Sequence, residues 1–263
     1  MFYKTIDFSK FSSIRIGQKE EVLMIEKGDI IPKDRYLIGH GNNLLISPTP
    51  PPLMMLSKDF DFITLDGDML SIGAATPTGK ILSFAKKYNI AGFEFVSKLP
   101  GSLGGMLAMN AGVKEYEIFN IVDSICIDEI WKKASEIEHG YRFSKLGGVV
   151  TEARFNVTHG FDAELLDSLI ALRANQPKEP SAGSLFKNPA GDHAGRLIEA
   201  VGLKGMQIGG MAWSEVHANF LVNKGNGTYS DAMKLIDLAK QKVLDQFKIA
   251  LQEEVKILYC RTK

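Results

Sequence analysis

Chemistry is most legible in a glycine-rich stretch, Leu99-Pro100-Gly101-Ser102-Leu103-Gly104-Gly105, which continues through Met106 to Asn110-Ala111-Gly112. Glycine leaves backbone N–H groups uncovered, so an anion such as a diphosphate could approach the main chain there closely. A second uncovered loop, Gly39-His40-Gly41-Asn42-Asn43-Leu44, lies upstream. Spacing alone suits a structural loop equally well, because Pro-Gly-Ser and Gly-Gly are ordinary turn punctuation. Neither loop carries a familiar nucleotide code. No Gly-Lys-Ser/Thr occurs, Gly101, Gly104 and Gly105 do not make Gly-x-Gly-x-x-Gly, and Leu44 stands where a third glycine after Gly39-His40-Gly41 belongs. P-loop and Rossmann folds are therefore disfavoured. A third loaded stretch is Pro180-Ser181-Ala182-Gly183-Ser184-Leu185-Phe186-Lys187-Asn188-Pro189. The five histidines (His40, His139, His159, His193 and His217) show no metal-ligand spacing, so no metal is expected.

The elements that must position these loops follow from apolar periodicity and turn chemistry. Residues 22–25 and 36–38 read as strands, and the second enters the Gly39 loop and leaves through 44–47 as strand, tight turn, strand. Prolines at 48, 50, 51 and 52 then stop regular structure. Residues 62–72 form a β-hairpin about Asp66-Gly67-Asp68. Thr78 caps a helix with Ile81, Leu82, Ala85 and Tyr88 on one face, ended by Asn89. Residues 121–127 and 148–155 are strands, with Tyr141-Arg142 on their connection. Asp162 opens a helix that stops before Pro177. A helix through Leu197 and Ile198 halts at Gly202, a strand spans 219–223, a long helix starts from a Ser230 cap, and residues 255–259 close as a strand.

The 263 residues are 45% hydrophobic and 24% charged, enough for one large domain or two to three small ones. Lys plus Arg and Asp plus Glu are both 31, so bulk charge gives no reason to bind nucleic acid or an anionic membrane. Cys126 and Cys260, both in segments read as buried strands, make neither a disulfide framework nor a metal motif, and a reducing compartment is expected. No apolar run approaches the length of a membrane span, and the first residues lack an apolar export signal.

Several separate stretches together resemble one family, the UDP-N-acetylenolpyruvoylglucosamine reductases. They are the Gly39-to-Leu45 loop, Pro100–Gly105 with Asn110-Ala111-Gly112, Tyr141-Arg142, Gly183-Ser184-Leu185-Phe186-Lys187-Asn188-Pro189, His217-Ala218-Asn219-Phe220-Leu221-Val222-Asn223 and Leu251-Gln252-Glu253-Glu254-Val255. They keep the family's order nearly end to end. The resemblance implies an α+β chain: an FAD-binding fold of the vanillyl-alcohol oxidase type in two subdomains, 1–52 and 53–158, plus a C-terminal α/β substrate domain, 159–263. It implies the shorter type, without a substrate-covering tyrosine loop. Two departures stand out. Val113-Lys114-Glu115-Tyr116-Glu117 replaces a common Gly-Gly-Glu segment, and Asn175-Gln176-Pro177 replaces Lys-Gln-Pro.

The implied activity is NADPH-dependent reduction of UDP-N-acetylglucosamine enolpyruvate to UDP-N-acetylmuramate, in the cytoplasm, by a monomer with non-covalent FAD. By resemblance, Ser184 donates the proton, Arg142 holds the substrate carboxylate and Glu254 acts electrostatically or assists the donor. Cofactor contacts fall on Gly39, His40, Gly41, Asn42, Asn43, Leu44, Pro100, Gly101, Ser102, Gly104, Gly105, Asn110, Ala111 and Gly112. Substrate contacts fall on Tyr141, Lys187, Asn188, His217 and Asn219. Two other readings compete: another FAD oxidoreductase of the same fold, and a flavin-free nucleotide-sugar binding protein.

Overall fold

Residues 1–260 are described by a computed structural model, which divides into two units woven from separate pieces of chain. The first unit comprises Met1–Lys4, Val22–His40 and Pro52–Ala174; the second comprises Thr5–Glu21, Gly41–Pro51 and Asn175–Lys263.

The first unit is built on two sheets. In one, Lys19–Ile25, Leu53–Leu56 and Tyr36–Leu37 lie side by side and parallel, with Val22 opposite Leu53 and Tyr36 opposite the same residue on its other side. The β-branched and long apolar side chains of Val22, Ile25 and Leu53 are buried, as strands covered on both faces require. The other sheet is antiparallel throughout, in the order Ile130–Lys133, Val122–Ile127, Val150–Asn156, Met69–Gly73, Ile63–Asp66. Its helices, Thr78–Lys87, Leu103–Met109 and Ala163–Leu172, give Ile81, Ala85, Leu103, Leu107 and Leu169 to one core with Ile72, Ile125, Ala153 and Phe155.

The second unit has a four-stranded antiparallel sheet in the order Ser181–Ser184, Phe220–Asn223, Met211–Trp213, Gln207–Ile208, and a short parallel pair, Leu44–Ile46 with Lys256–Leu258. The helices Ala194–Ala200 and Tyr229–Phe247 cover it, burying Leu197, Ile198, Leu235, Ile236, Ala239 and Val243 with Phe186, Trp213 and Leu221. No helix among the described residues is long and apolar enough to cross a membrane.

Local sequence chemistry explains most boundaries. Asp66 pairs with Met69, leaving Gly67-Asp68 as the expected two-residue turn, and Asp162 caps its helix by accepting the Leu165 N–H. Four expectations are corrected. Tyr36–Leu37 and Leu44–Ile46 do not pair with each other: the first pairs with Leu53–Leu56 and the second with Lys256–Leu258. Thr78 is the first helical residue, buried, with Pro77 in the cap position, while Tyr88 is exposed at the helix end. The long helix is capped by Thr228 rather than Ser230, because Thr228 and Asp231 form a reciprocal capping box. Cys260 is exposed and lies beyond the last strand.

Candidate active site

In the first unit the two glycine stretches meet. A side chain on Gly39 would sit 3.3 Å from the Ser102 hydroxyl, so close backbone approach is what the glycine provides. Ser102 precedes the Leu103–Met109 helix, is buried, and makes no capping hydrogen bond to it. The loop after strand Met69–Gly73 consumes part of the expected cradle: the Leu103 N–H donates to the Thr76 carbonyl at 3.0 Å, and the Gly104 N–H to the Ala74 carbonyl at 2.8 Å. Gly104 is thus spent on packing, since a side chain there would lie 3.3 Å from Ala74 Cβ. The N–H groups of Gly101, Ser102 and Gly105 find no acceptor among the described residues. With Gly101 at φ +143°, they remain the donors suited to a phosphate-bearing cofactor.

Beyond the helix, Asn110 adopts a left-handed conformation at φ 41° and is fully buried. Its amide donates to Glu117 Oε2 at 2.7 Å and to the Gly140 carbonyl at 3.2 Å, and its oxygen accepts the Phe119 N–H at 3.3 Å. Asn110 therefore ties the helix end to two later segments. One of them is the departure at 113–117, which forms a small hairpin with Gly112 opposite Glu117. A side chain on Gly112 would run into the Tyr116 carbonyl.

The other segment is a second hairpin, His139–Gly140 with Phe143–Ser144, whose two-residue turn is Tyr141-Arg142. Ser144 Oγ donates to the Leu107 carbonyl at 2.7 Å and pins this hairpin to the glycine-rich helix. Arg142, at φ 58°, donates from Nη2 to the Gly112 carbonyl at 3.1 Å, and its guanidinium carbon lies 5.1 Å from the Tyr141 ring centre. Gly39, Ser102, Asn110, Gly112, Tyr141 and Arg142 thus belong to one connected neighbourhood.

In the second unit, strand Ser181–Ser184 carries one residue more than its partner between the pairs Ser181↔Val222 and Ser184↔Phe220. This bulge, with Gly183 at φ +85°, re-aims the chain at Ser184. Two anchors follow at once. The Leu185 N–H donates to the Asn219 carbonyl at 2.8 Å, and the Leu185 carbonyl accepts the Glu254 N–H at 2.8 Å. Phe186 bridges Glu253, and the Lys187 N–H donates to the Gln252 carbonyl at 2.9 Å. Ser184 and Glu254 are therefore held on neighbouring extended segments, while the Ser184 hydroxyl has no hydrogen-bond partner among the described residues.

The Gly41–Leu44 part of the upstream loop belongs to this unit. Gly41, at φ +71°, packs where a side chain would lie 3.0 Å from the Phe11 ring, and its carbonyl accepts the Ser13 N–H. Asn43 Nδ2 donates to the Glu254 carbonyl at 3.1 Å, and the Asn43 carbonyl accepts the Lys256 N–H at 3.0 Å.

The expected substrate residues divide by what their side chains already do. Asn188 Oδ1 accepts the Ala194 N–H at 3.1 Å and caps the Ala194–Ala200 helix, where Arg196 holds the neighbouring Asp192 carboxyl down to about 2. Asn219 is buried, with both amide atoms bonded to the Phe186 backbone. His217 Nδ1 accepts the Asn219 N–H at 3.2 Å, which requires the proton on Nε2, and burial pushes its pKa down. Three anchors escaped the sequence reading: Ser13, Glu117 and Ser144. Each acts on backbone or amide groups 7 to 37 residues away, a relation no local pattern encodes.

Residues 176–258 match the family model described as UDP-N-acetylenolpyruvoylglucosamine reductase, C-terminal domain. The chain is 44% identical over 258 residues to the UDP-N-acetylenolpyruvoylglucosamine reductase of Helicobacter pylori (strain ATCC 700392 / 26695), covering 98% of this chain and 100% of that one. It is 47% identical over 257 residues to the protein of that name from Helicobacter hepaticus, covering 96% and 98%. It is 45% identical over 258 residues to that of Campylobacter jejuni (strain RM1221), covering 96% and 99%. The crystal structure of UDP-N-acetylenolpyruvylglucosamine reductase from Thermus caldophilus matches with a TM-score of 0.86 at 27% identity, over 98% of this chain and 99% of that one.

Proposed function

The chain belongs to the UDP-N-acetylenolpyruvoylglucosamine reductase family, oxidoreductases of peptidoglycan synthesis, and from that membership we propose how its own residues carry the reaction. The substrate is UDP-N-acetylglucosamine enolpyruvate, the product UDP-N-acetylmuramate, the cofactor non-covalent FAD and the co-substrate NADPH. Bound FAD, reloaded by NADPH, supplies hydride chemistry at the terminal vinyl carbon. The fit to a phosphate-bearing cofactor is supported by the unspent Gly101, Ser102 and Gly105 N–H groups and by the close approach of Gly39 to Ser102.

The protein's share is position, charge and a proton. Arg142 offers a planar fork to the substrate carboxylate, on which charge grows as hydride reaches the adjacent double bond. Ser184 delivers its hydroxyl proton to the carbon bearing the carboxylate and ether oxygen, so that one hydride and one proton add across the double bond. A serine hydroxyl is a weak acid, and it serves only toward a strongly basic carbon held within hydrogen-bond reach. Glu254 assists the donor electrostatically. Asn188 and Lys187, on the same segment as Ser184, are assigned to holding the substrate.

The observation that carries this reading is the Ser184 hydroxyl: Ser184 pairs with Phe220 and the following residue, Leu185, is bonded through both its N–H and its carbonyl, yet the hydroxyl proton is committed to no group among the described residues. The test is an anaerobic stopped-flow spectrum, with reduction by NADPH followed by addition of the enolpyruvyl sugar. Bleaching at the flavin bands and rapid recovery on adding the sugar is the expected result. Bleaching without recovery points to another acceptor, oxygen included, and a protein that takes up no FAD points to a binding protein.

A further inference from the structure

We propose that Asn219 is the positioning residue that fixes where Ser184 presents its hydroxyl, rather than a contact to substrate; this rests on the reading of Ser184 as proton donor. The backbone pairing between Ser181–Ser184 and Phe220–Asn223 reaches its last register pair at Ser184 and Phe220. Asn219 extends that ladder by two further rungs. Its carbonyl accepts the Leu185 N–H at 2.8 Å, and its side-chain amide imitates a strand, accepting the Phe186 N–H at 3.0 Å and donating to the Phe186 carbonyl at 2.8 Å. The amide is only 3% exposed, so these bonds do not compete with water.

The clamp matters because of what lies on each side of it. Two residues before Leu185, within the bulge, Gly183 at φ +85° frees the chain from regular strand geometry. A glycine bulge leaves the direction of the next side chain underdetermined unless the following residues are fixed. The next peptide group, through the Leu185 carbonyl, accepts the Glu254 N–H. Leu185 therefore receives Asn219 through its N–H and Glu254 through its carbonyl, which sets Ser184 and Glu254 against each other. With its oxygen and nitrogen each bonded once to Phe186, the Asn219 amide is fixed in its plane against that residue.

The discriminating measurement is a double-mutant cycle on the two half-reactions, using the full chain loaded with FAD. Asn219→Ala is expected to slow reoxidation by the enolpyruvyl sugar by about 10- to 100-fold, the scale of a misplacement near 1 Å, and to leave reduction by NADPH unchanged. Combined with Ser184→Ala, it is expected to add little, because a misaligned hydroxyl cannot matter once it is gone. The apparent KM for the sugar should stay within about threefold while kcat falls. Asn219→Asp, which keeps the acceptor for the Phe186 N–H and loses the donor, should fall between the wild type and Asn219→Ala, and it supplies the cycle if the alanine variant does not fold. Full additivity with Ser184→Ala, or equal loss in both half-reactions, overturns the positioning role. A rise in KM with kcat unchanged would return Asn219 to substrate binding. Reoxidation unaffected by Ser184→Ala alone would instead remove the donor reading on which the proposal stands.

Discussion

The Leu185 carbonyl accepts the Glu254 N–H at 2.8 Å, so the residue after Ser184 and the residue bearing the second carboxylate of Glu253-Glu254 share one rung. Because the rung is made by main chain, the carboxylate can be removed without breaking it. Glu254→Gln is therefore expected to keep that rung and to slow reoxidation by the enolpyruvyl sugar by about 100-fold, the size of a lost acid–base partner. A drop in midpoint of several degrees with unaltered chemistry would assign Glu254 to structure.

Arg142 sits at a left-handed turn position and already donates to the Gly112 carbonyl. Arg142→Lys keeps the charge and the same backbone cost but replaces a planar fork with a point charge. Steady-state kinetics should give a kcat/KM for the enolpyruvyl sugar lower by about 10-fold or more, with NADPH reduction untouched. A variant that matches the wild type would show that charge alone suffices.

Gly41 combines a positive φ with a crowded site, where an added Cβ would lie 3.0 Å from the Phe11 ring and 3.2 Å from Ser12 Cα, whereas Gly28 has φ +89° and open space. Gly28→Ala should cost only the backbone term, about 1 kcal/mol, and Gly41→Ala about 1–3 kcal/mol in urea unfolding. Equal losses would mean that the Phe11 ring moves aside freely.

His217 has a lowered pKa, first through burial and then through the neighbouring Lys204, and its Nδ1 must stay unprotonated to accept the Asn219 N–H. A depressed folded-state pKa means that the neutral form favours folding. Its contribution is fully present above the unfolded value of 6.5 and is lost as pH falls through the lower folded value. His217→Asn should therefore melt below the wild type at pH 7.5, and the gap should narrow by pH 5. A gap independent of pH would show that titration at this site does not feed stability.

Legibility in the sequence followed the range of the interaction. The Gly67-Asp68 turn, the Asp162 cap and the stop at Gly202, where φ is +74°, are decided within a few residues and could be read directly. The strand Ile130–Lys133 was missed because it is exposed along its whole length and so has no apolar alternation, and its Asp128-Glu129 turn lacks glycine although both residues have positive φ. Tyr36–Leu37 and Leu44–Ile46 looked like a hairpin because a glycine turn joins them, yet each finds a partner elsewhere in the chain. For the site, the motifs singled out Ser184, Arg142 and the glycine loops as candidates. They could not tell that Asn219 and Asn223 spend their amides on backbone, and Asn110 on backbone and the Glu117 carboxylate, since an asparagine that touches ligand and one that staples two loops look alike in sequence.

The bond from Asn43 to Glu254 joins residues 211 positions apart, and the short parallel pair beside it closes the same loop. During synthesis the second unit thus waits for nearly the whole chain before its N-terminal strand can dock, while the antiparallel sheet of the first unit is complete once residue 156 has emerged. Loop closure over such a distance is entropically costly and slow, so the segment carrying Glu254 is expected to be among the last parts of its unit to order. A nascent chain stalled short of that segment would expose an unpaired Leu44–Ile46 edge, an apolar trio that the finished protein buries.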